Sequence, residues 1–426
     1  MDQKERFDFI SQKVKERPLN KRKLLKKTMV TITMAAIFGL IASLTFFFLQ
    51  PVLNNWLHPE EEIERIEIPV AEDEILPQEM VIHEEEMTEP NQDVINSLKN
   101  EIQMGVQEYQ EIYQNIYETV SALQSAMVTV TGLSEQMDWL NAPYESGNQT
   151  TGFIFAQNNA EILIFVGTKA IQEEKIEVTF TDGKKAGAYV KGADHNTGLS
   201  VVAVSKSSLV KSTQEMISTI TLGSSKKEGL LAAPVIALGN PLRKNSVMYG
   251  MISSIGEQIS MIDANYELMS TNIYGSKDAE GVLTDMEGRV LGIIYQKENS
   301  EDSKNLISVL GITELKSVLQ RMGNGFPNTY IGVNVTDVPT DIHEIKKVPQ
   351  GAYVTGILMD SPAMEAGIQS GDVIVQIDRN SIETVSDFKK VMEESLPGEQ
   401  KEVTMMRQGP EGYKSVRIKI TTGELK

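Results

Sequence analysis

The chain has 426 residues, 41% of them hydrophobic and 23% charged, with a formal net charge of −19 and no cysteine. That length holds two to three domains, each able to bury its own core. Disulfides, thiolate metal sites and cysteine catalysis are excluded, and the acidic balance argues against nucleic acid as a partner. The four histidines (His58, His83, His195, His343) are not spaced as a metal pair, so no metal and no cofactor is expected.

Thr28 to Gln50 is a run of 23 residues without a charge, long enough to span a bilayer, and Pro51 follows it. Ten Lys/Arg precede the run, whereas 51–98 holds Arg65 alone against 14 Asp/Glu. The positive-inside rule then places 1–27 in the cytoplasm as a basic tail, 28–50 as a retained transmembrane helix, and the rest outside the cell membrane. Residues 51–92, with Glu60-Glu61-Glu62 and Glu84-Glu85-Glu86, read as an acidic disordered stalk.

From Ile95 the apolar residues fall at helical spacing (Ile95, Leu98, Ile102, Val106, Tyr109, Tyr113, Ile116, Val120, Leu123), which gives a juxtamembrane amphipathic helix assigned to 93–118. Tyr109, Tyr113 and Tyr117 are expected as core or interface filler. Near Ala126 the period changes to strands. Two β-rich sets within 119–323, separated near Leu230, read as a sandwich or paired barrels, closed by a helical segment from Ile312 to Met322. Inside the second set, Val282-Leu283, the turn Asp285-Met286-Glu287-Gly288 and Val290-Leu291 make a clear hairpin signal. After Gly323-Asn324-Gly325 a compact unit occupies 324–426.

Several short motifs in order carry a resemblance. Thr151-Gly152-Phe153-Ile154, Phe180-Thr181-Asp182-Gly183, Ala237-Leu238-Gly239-Asn240-Pro241 and Gly250-Met251-Ile252-Ser253 are similar to segments of the HtrA (DegP-like) branch of trypsin-like serine proteases. The fold class this implies is mostly β, a trypsin-like double β-barrel. Ser361-Pro362-Ala363-Met364-Glu365-Ala366-Gly367-Ile368 with Gly371-Asp372-Val373-Ile374 resembles a bacterial PDZ domain, an α+β unit.

The family's Gly-Asn-Ser-Gly-Gly loop falls on Lys277-Asp278-Ala279-Glu280-Gly281, which puts Ala279 where the nucleophile stands. The histidine segment matches Ile164 to Lys169, with Thr168 or Gly167 at the base position, and the aspartate position is Gly198. A triad needs each member within reach of the next, so the resemblance implies a pseudo-protease. The alternative is an active endopeptidase with a rearranged site drawing on His195 and on Ser200, Ser253, Ser270 or Ser276. A third reading is a structural platform, a homotrimer or a partner of an active HtrA-like protease.

For the PDZ-like unit, the resemblance implies capture of peptide or protein C-termini, with the carboxylate loop at Tyr330, Ile331, Gly332 and Val333. Val385, Phe388 and Val391 are the expected pocket wall.

Overall fold

The computed structural model describes residues 64–68, 106–137, 143–171 and 175–425, together with isolated positions Met29, Met34 and Phe38. The basic tail, nearly all of the expected membrane span and most of the stalk lie outside the described residues. Among the described residues no helix is long and apolar enough to cross a membrane. The chain divides into two compact units, and all that follows concerns the second, Ile63–Lys426.

The unit opens with α1 (Val106–Leu123). Ile116 is buried, and Ile112, Val120 and Leu123 pack against the same core, while Thr119 Oγ1 donates to the Met286 carbonyl at 3.0 Å. The expected apolar stripe is buried or half-buried only in its later part, at Ile116, Val120 and Leu123, while Val106, Tyr109 and Tyr113 of the same stripe are exposed, and the helix runs five residues past the expected end. Tyr109, Tyr113 and Tyr117 do not fill the core. All three are about half exposed or more, with Tyr113 edge-on to Tyr249.

Six strands then close a barrel: β1 (Met127–Met137), β2 (Pro143–Gln157), β3 (Glu161–Gly167), β4 (Lys175–Thr179), β5 (Lys185–Asp194) and β6 (Leu199–Ser205), in the order β1-β2-β3-β6-β5-β4. A short helix, α2 (Lys211–Met216), leads to a second closed barrel. It comprises β7 (Pro234–Asn240), β8 (Ser246–Met261), β9 (Ala264–Tyr274), β10 (Glu280–Thr284), β11 (Val290–Ile294) and β12 (Leu306–Gly311). Read from its first strand, its order is β7-β8-β9-β12-β11-β10, the same winding as the first.

The sequence shows why the barrels sit against each other. A strand wet on one side alternates, but β3 is apolar from Ile162 to Val166 and β6 from Leu199 to Val204 with Ser200 alone interrupting, and almost every residue in them is buried. Ile162, Ile164, Val202 and Val204 fill the first barrel, while Leu163, Phe165, Val201 and Ala203 face a layer shared with Ile236, Leu238 and Ile293 of the second. Phe153 and Phe165, directly paired across β2 and β3, stack at 5.5 Å in that layer. Burying each such ring is worth roughly 1.5–3 kcal/mol. Helix α3 (Ile312–Gly323) caps the layer with Ile312, Leu315, Leu319 and Met322.

Part of the expected stalk is docked on this helix. Ile66 is buried, its N–H donates to Asn324 Oδ1 at 3.0 Å, and its carbonyl accepts from Asn324 Nδ2 at 3.1 Å. The acidic composition around it masks a usable signal, the isoleucines Ile63, Ile66 and Ile68 between charges.

The C-terminal unit holds β13 (Thr329–Tyr330), β14 (Val333–Asp337), α4 (Thr340–Lys346), β15 (Ala352–Ile357), α5 (Pro362–Ala366), β16 (Val373–Ile377), β17 (Asn380–Ser381), α6 (Val385–Glu394), β18 (Gln400–Gly409), β19 (Gly412–Thr421) and β20 (Gly423–Glu424). Its motif residues act locally. Ser361 caps α5 by accepting from the Met364 N–H at 3.2 Å, Pro362 supplies the first helical position, and Gly367 ends the helix at φ +84°. Asp372 is buried against Arg407, which donates Nε and Nη2 to it at 2.7 Å each. Thr384 and Asp387 form a capping box at the start of α6.

Candidate functional site

Two places could do chemistry or binding, and both are built around backbone N–H groups. The first is a cavity of about 330 Å³ between the barrels, lined by Thr168, His195, Gly198, Lys277, Ala279, Glu280 and Lys297 among others. The three positions matched to a triad thus come together, although they lie on three separate segments. The Thr168 N–H donates to the Gly198 carbonyl at 2.9 Å, and Ser200 Oγ donates to Thr168 Oγ1 at 3.2 Å.

The three matched positions of this cavity carry a hydroxyl, a glycine and an alanine. Ala279 is buried with its methyl group in the barrel core. Its N–H donates to the Ser276 carbonyl at 3.0 Å, and the Asp278 N–H to Ser276 Oγ at 3.2 Å. In the register matched above, the Ala279 N–H is one of the two donors an oxyanion would need, and it is committed within the loop. A Cβ at Gly167 would stand 3.1 Å from Glu280 Oε1, so a carboxylate already occupies the space beside that base position. At Gly198 the backbone is left-handed (φ +75°), and a Cβ would meet Lys297 Nζ at 3.3 Å. His195 is exposed, and among the described residues no hydrogen bond joins it to a serine. Gly239 and Gly281 let β7 and β10 approach closely behind the loop, since a Cβ at Gly281 would lie 2.0 Å from the Leu238 carbonyl oxygen.

The second place is the loop at the head of β14. The N–H groups of Ile331, Gly332 and Val333 converge on one carboxylate, and it belongs to this chain. Asp263, at the tip of the β8–β9 hairpin, accepts from Ile331 N at 2.6 Å, from Gly332 N at 2.9 Å and from Val333 N at 2.9 Å. Both of its oxygens are used, and the residue is 5% exposed. Loss of water outweighs these three donors, so its pKa is pushed up to about 6.

Sequence reasoning named the loop and missed its occupant, because nothing in Met261-Ile262-Asp263-Ala264 marks a residue that acts 68 to 70 positions away. Gly332 is required for more than close approach. Its φ is +92°, and a Cβ there would come 2.3 Å from Ser361 Cβ, so replacing it would disturb the loop itself. Tyr330 is half-buried in β13, paired with Gly423. Val385, Phe388 and Val391 are all buried in the core of the C-terminal unit.

The unit is also fastened to the barrels from the other side of the groove. Lys389 of α6 donates to the Glu314 carbonyl at 3.0 Å and lies 4.4 Å over the Tyr266 ring of β9, while Ser317 Oγ donates to Glu393 at 2.6 Å. Burial pushes the Lys389 pKa down despite the nearby carboxylates Glu393 and Glu314.

Comparison with known proteins agrees with this architecture. Residues 329–420 match the family model of the PDZ domain. The chain is 24% identical over 329 residues to a "Serine protease Do-like HtrA" of Bacillus subtilis, an alignment covering 70% of this chain and 71% of that protein. It is 26% identical over 324 residues to a "Serine protease HtrA-like" of Staphylococcus epidermidis, covering 70% of this chain but only about half, 54%, of that relative. Among solved structures, an "HtrA-type protease AlgW with decapeptide" superposes with a TM-score of 0.50 at 21% identity, over 73% of this chain and 99% of that one. The chain therefore has the fold of the HtrA-type proteases, a trypsin-like double barrel followed by a C-terminal PDZ domain.

Proposed function

We propose that this protein recognises exposed peptide or protein C-termini through its PDZ domain, and that its barrel pair is a scaffold rather than a protease. It would be anchored by 28–50 with its folded domains outside the cell membrane, acting in the envelope as a sensor or as a regulator of an active HtrA-like protease. The observation that carries the reading is the state of the Ala279 loop. A methyl group stands at the nucleophile position, and its N–H is bonded to Ser276 rather than offered to an anion. Recognition then falls to the PDZ loop, whose three N–H groups already hold a carboxylate.

A fluorophosphonate probe, which labels only an activated serine, tests this reading. The full-length protein is expected to stay unlabelled and to leave casein intact. Labelling that disappears on Ser276→Ala or Ser200→Ala would instead establish the rearranged-enzyme alternative.

A further inference from the structure

The occupant of the PDZ loop has consequences of its own. The β8–β9 hairpin lies where an added peptide strand would lie, packed against β14 on one side and α6 on the other. Ile262 forms an antiparallel bridge with Asn334, the Asp263 N–H donates to the Val333 carbonyl at 2.7 Å, and Ser260 Oγ donates to the Val335 carbonyl at 3.1 Å. The contacts are thus those of strand addition to a sheet edge, ended by a carboxylate in the N–H cradle. The difference from a peptide is that the backbone turns back at Asp263, in a left-handed conformation at φ +58°, where a peptide would stop.

We infer that the β8–β9 hairpin is a built-in ligand of the PDZ domain, with Asp263 standing in for a C-terminal carboxylate, so that a peptide binds only by displacing it. This rests on the reading of the PDZ domain as a C-terminus receptor and supplies its regulation. One cradle of three donors cannot hold two carboxylates. The measured affinity for a peptide is therefore the intrinsic affinity reduced by the fraction of molecules whose groove is open.

The hairpin also reports to the barrel cavity. Asn196 Nδ2 donates to the Ile262 carbonyl at 2.9 Å, and Asn196 sits in the turn that carries His195, Thr197 and Gly198 into that cavity. Withdrawal of the hairpin would break this bond, which gives peptide binding a physical route to the inter-barrel surface.

Two variants of the full-length protein test the inference. Asp263→Gly removes the carboxylate while suiting the left-handed backbone of the hairpin tip. The pair Ile262→Cys with Asn334→Cys joins bridged residues in a chain that has no other cysteine, at a spacing of about 4.5–5.5 Å between Cα atoms that suits a disulfide. Each is titrated with fluorescein-labelled hexapeptides ending in a free-acid Leu, Val or Phe, and amide exchange across 331–333 is followed in parallel.

Asp263→Gly is expected to raise exchange across 331–333 and to bind the peptides at least about tenfold more tightly than the wild type. The oxidised double-cysteine protein is expected to bind none until it is reduced. Equal binding by wild type, Asp263→Gly and the oxidised pair would overturn the inference while leaving C-terminus recognition standing. Raised exchange in Asp263→Gly with no binding by any form would mean that Asp263 does hold the loop but that the receptor reading fails, and the competition with it.

Discussion

The molecule contains two backbone cradles of similar make and opposite use. In the barrel loop, the N–H groups of Asp278 and Ala279 turn back onto Ser276, and the neighbouring side chains include Asp278 and Glu280. In the PDZ loop, those of Ile331, Gly332 and Val333 point together at one anion. A nest of N–H groups stabilises negative charge only when its donors are unspent and converge. Two loops of the same chain thus differ in what their N–H groups face: the Ala279 N–H is bonded within its own loop, whereas the PDZ loop offers three donors to one anion.

The strongest way to break the comparison is to rebuild the triad. Thr168→His, Gly198→Asp and Ala279→Ser together supply base, orienter and nucleophile. Casein cleavage by this triple variant is nevertheless expected to remain at least about 10²–10³-fold below a competent HtrA-type protease assayed alongside, the usual loss when one oxyanion donor is missing. The aspartate would also enter at a left-handed position beside Lys297. Activity within about tenfold of the competent enzyme would show that the barrel cradle is intact after all.

A smaller effect sharpens the PDZ side. Asp263 has a pKa of about 6 in the folded protein against 3.8 for the free side chain, so the folded state binds its proton more tightly. Its contribution to stability is thus fully present below pH 3.8 and is lost as pH rises through 6. The titratable and charged groups around it are Asp194, Tyr266, Arg321, Tyr330, Lys389 and Glu393. Between pH 7 and pH 5, wild type should gain about 1.4 kcal/mol relative to Asp263→Asn, a factor of about ten. Urea midpoints of the two proteins at both pH values measure it. A gain of the opposite sign would mean that the N–H donors, rather than burial, dominate at Asp263.

The parts of this fold that were legible in the sequence are those set by short-range chemistry. The β10–β11 hairpin follows from two apolar runs around Asp285–Gly288, where the Gly288 N–H closes the turn onto the Asp285 carbonyl. The PDZ motif was legible for the same reason, since Ser361, Pro362, Gly367 and Asp372 each act on neighbours within a few residues or on one half-buried arginine. The convergence of Thr168, Gly198 and Ala279 on one cavity was legible only through the family resemblance, because no local pattern links the three segments. Asp263 was not legible at all, and Ile66 only as one of three isoleucines set between charges. Each makes its decisive contacts across long separations, 68 to 70 residues for Asp263 and 258 for Ile66, and each sits in a stretch whose local pattern suggests a different role.

The claim on which the rest depends is that the PDZ loop is the working carboxylate cradle of this protein. Calorimetric titration of the full-length protein with one apolar-ended hexapeptide, as free acid and as C-terminal amide, tests it directly. Amidation removes the charge that the N–H groups of Ile331, Gly332 and Val333 would hold, and binding should weaken by at least about 1.5 kcal/mol, the low end for hydrogen bonds to a charged group. Equal affinity for the two forms would contradict the claim and leave the loop as no more than a clasp for Asp263.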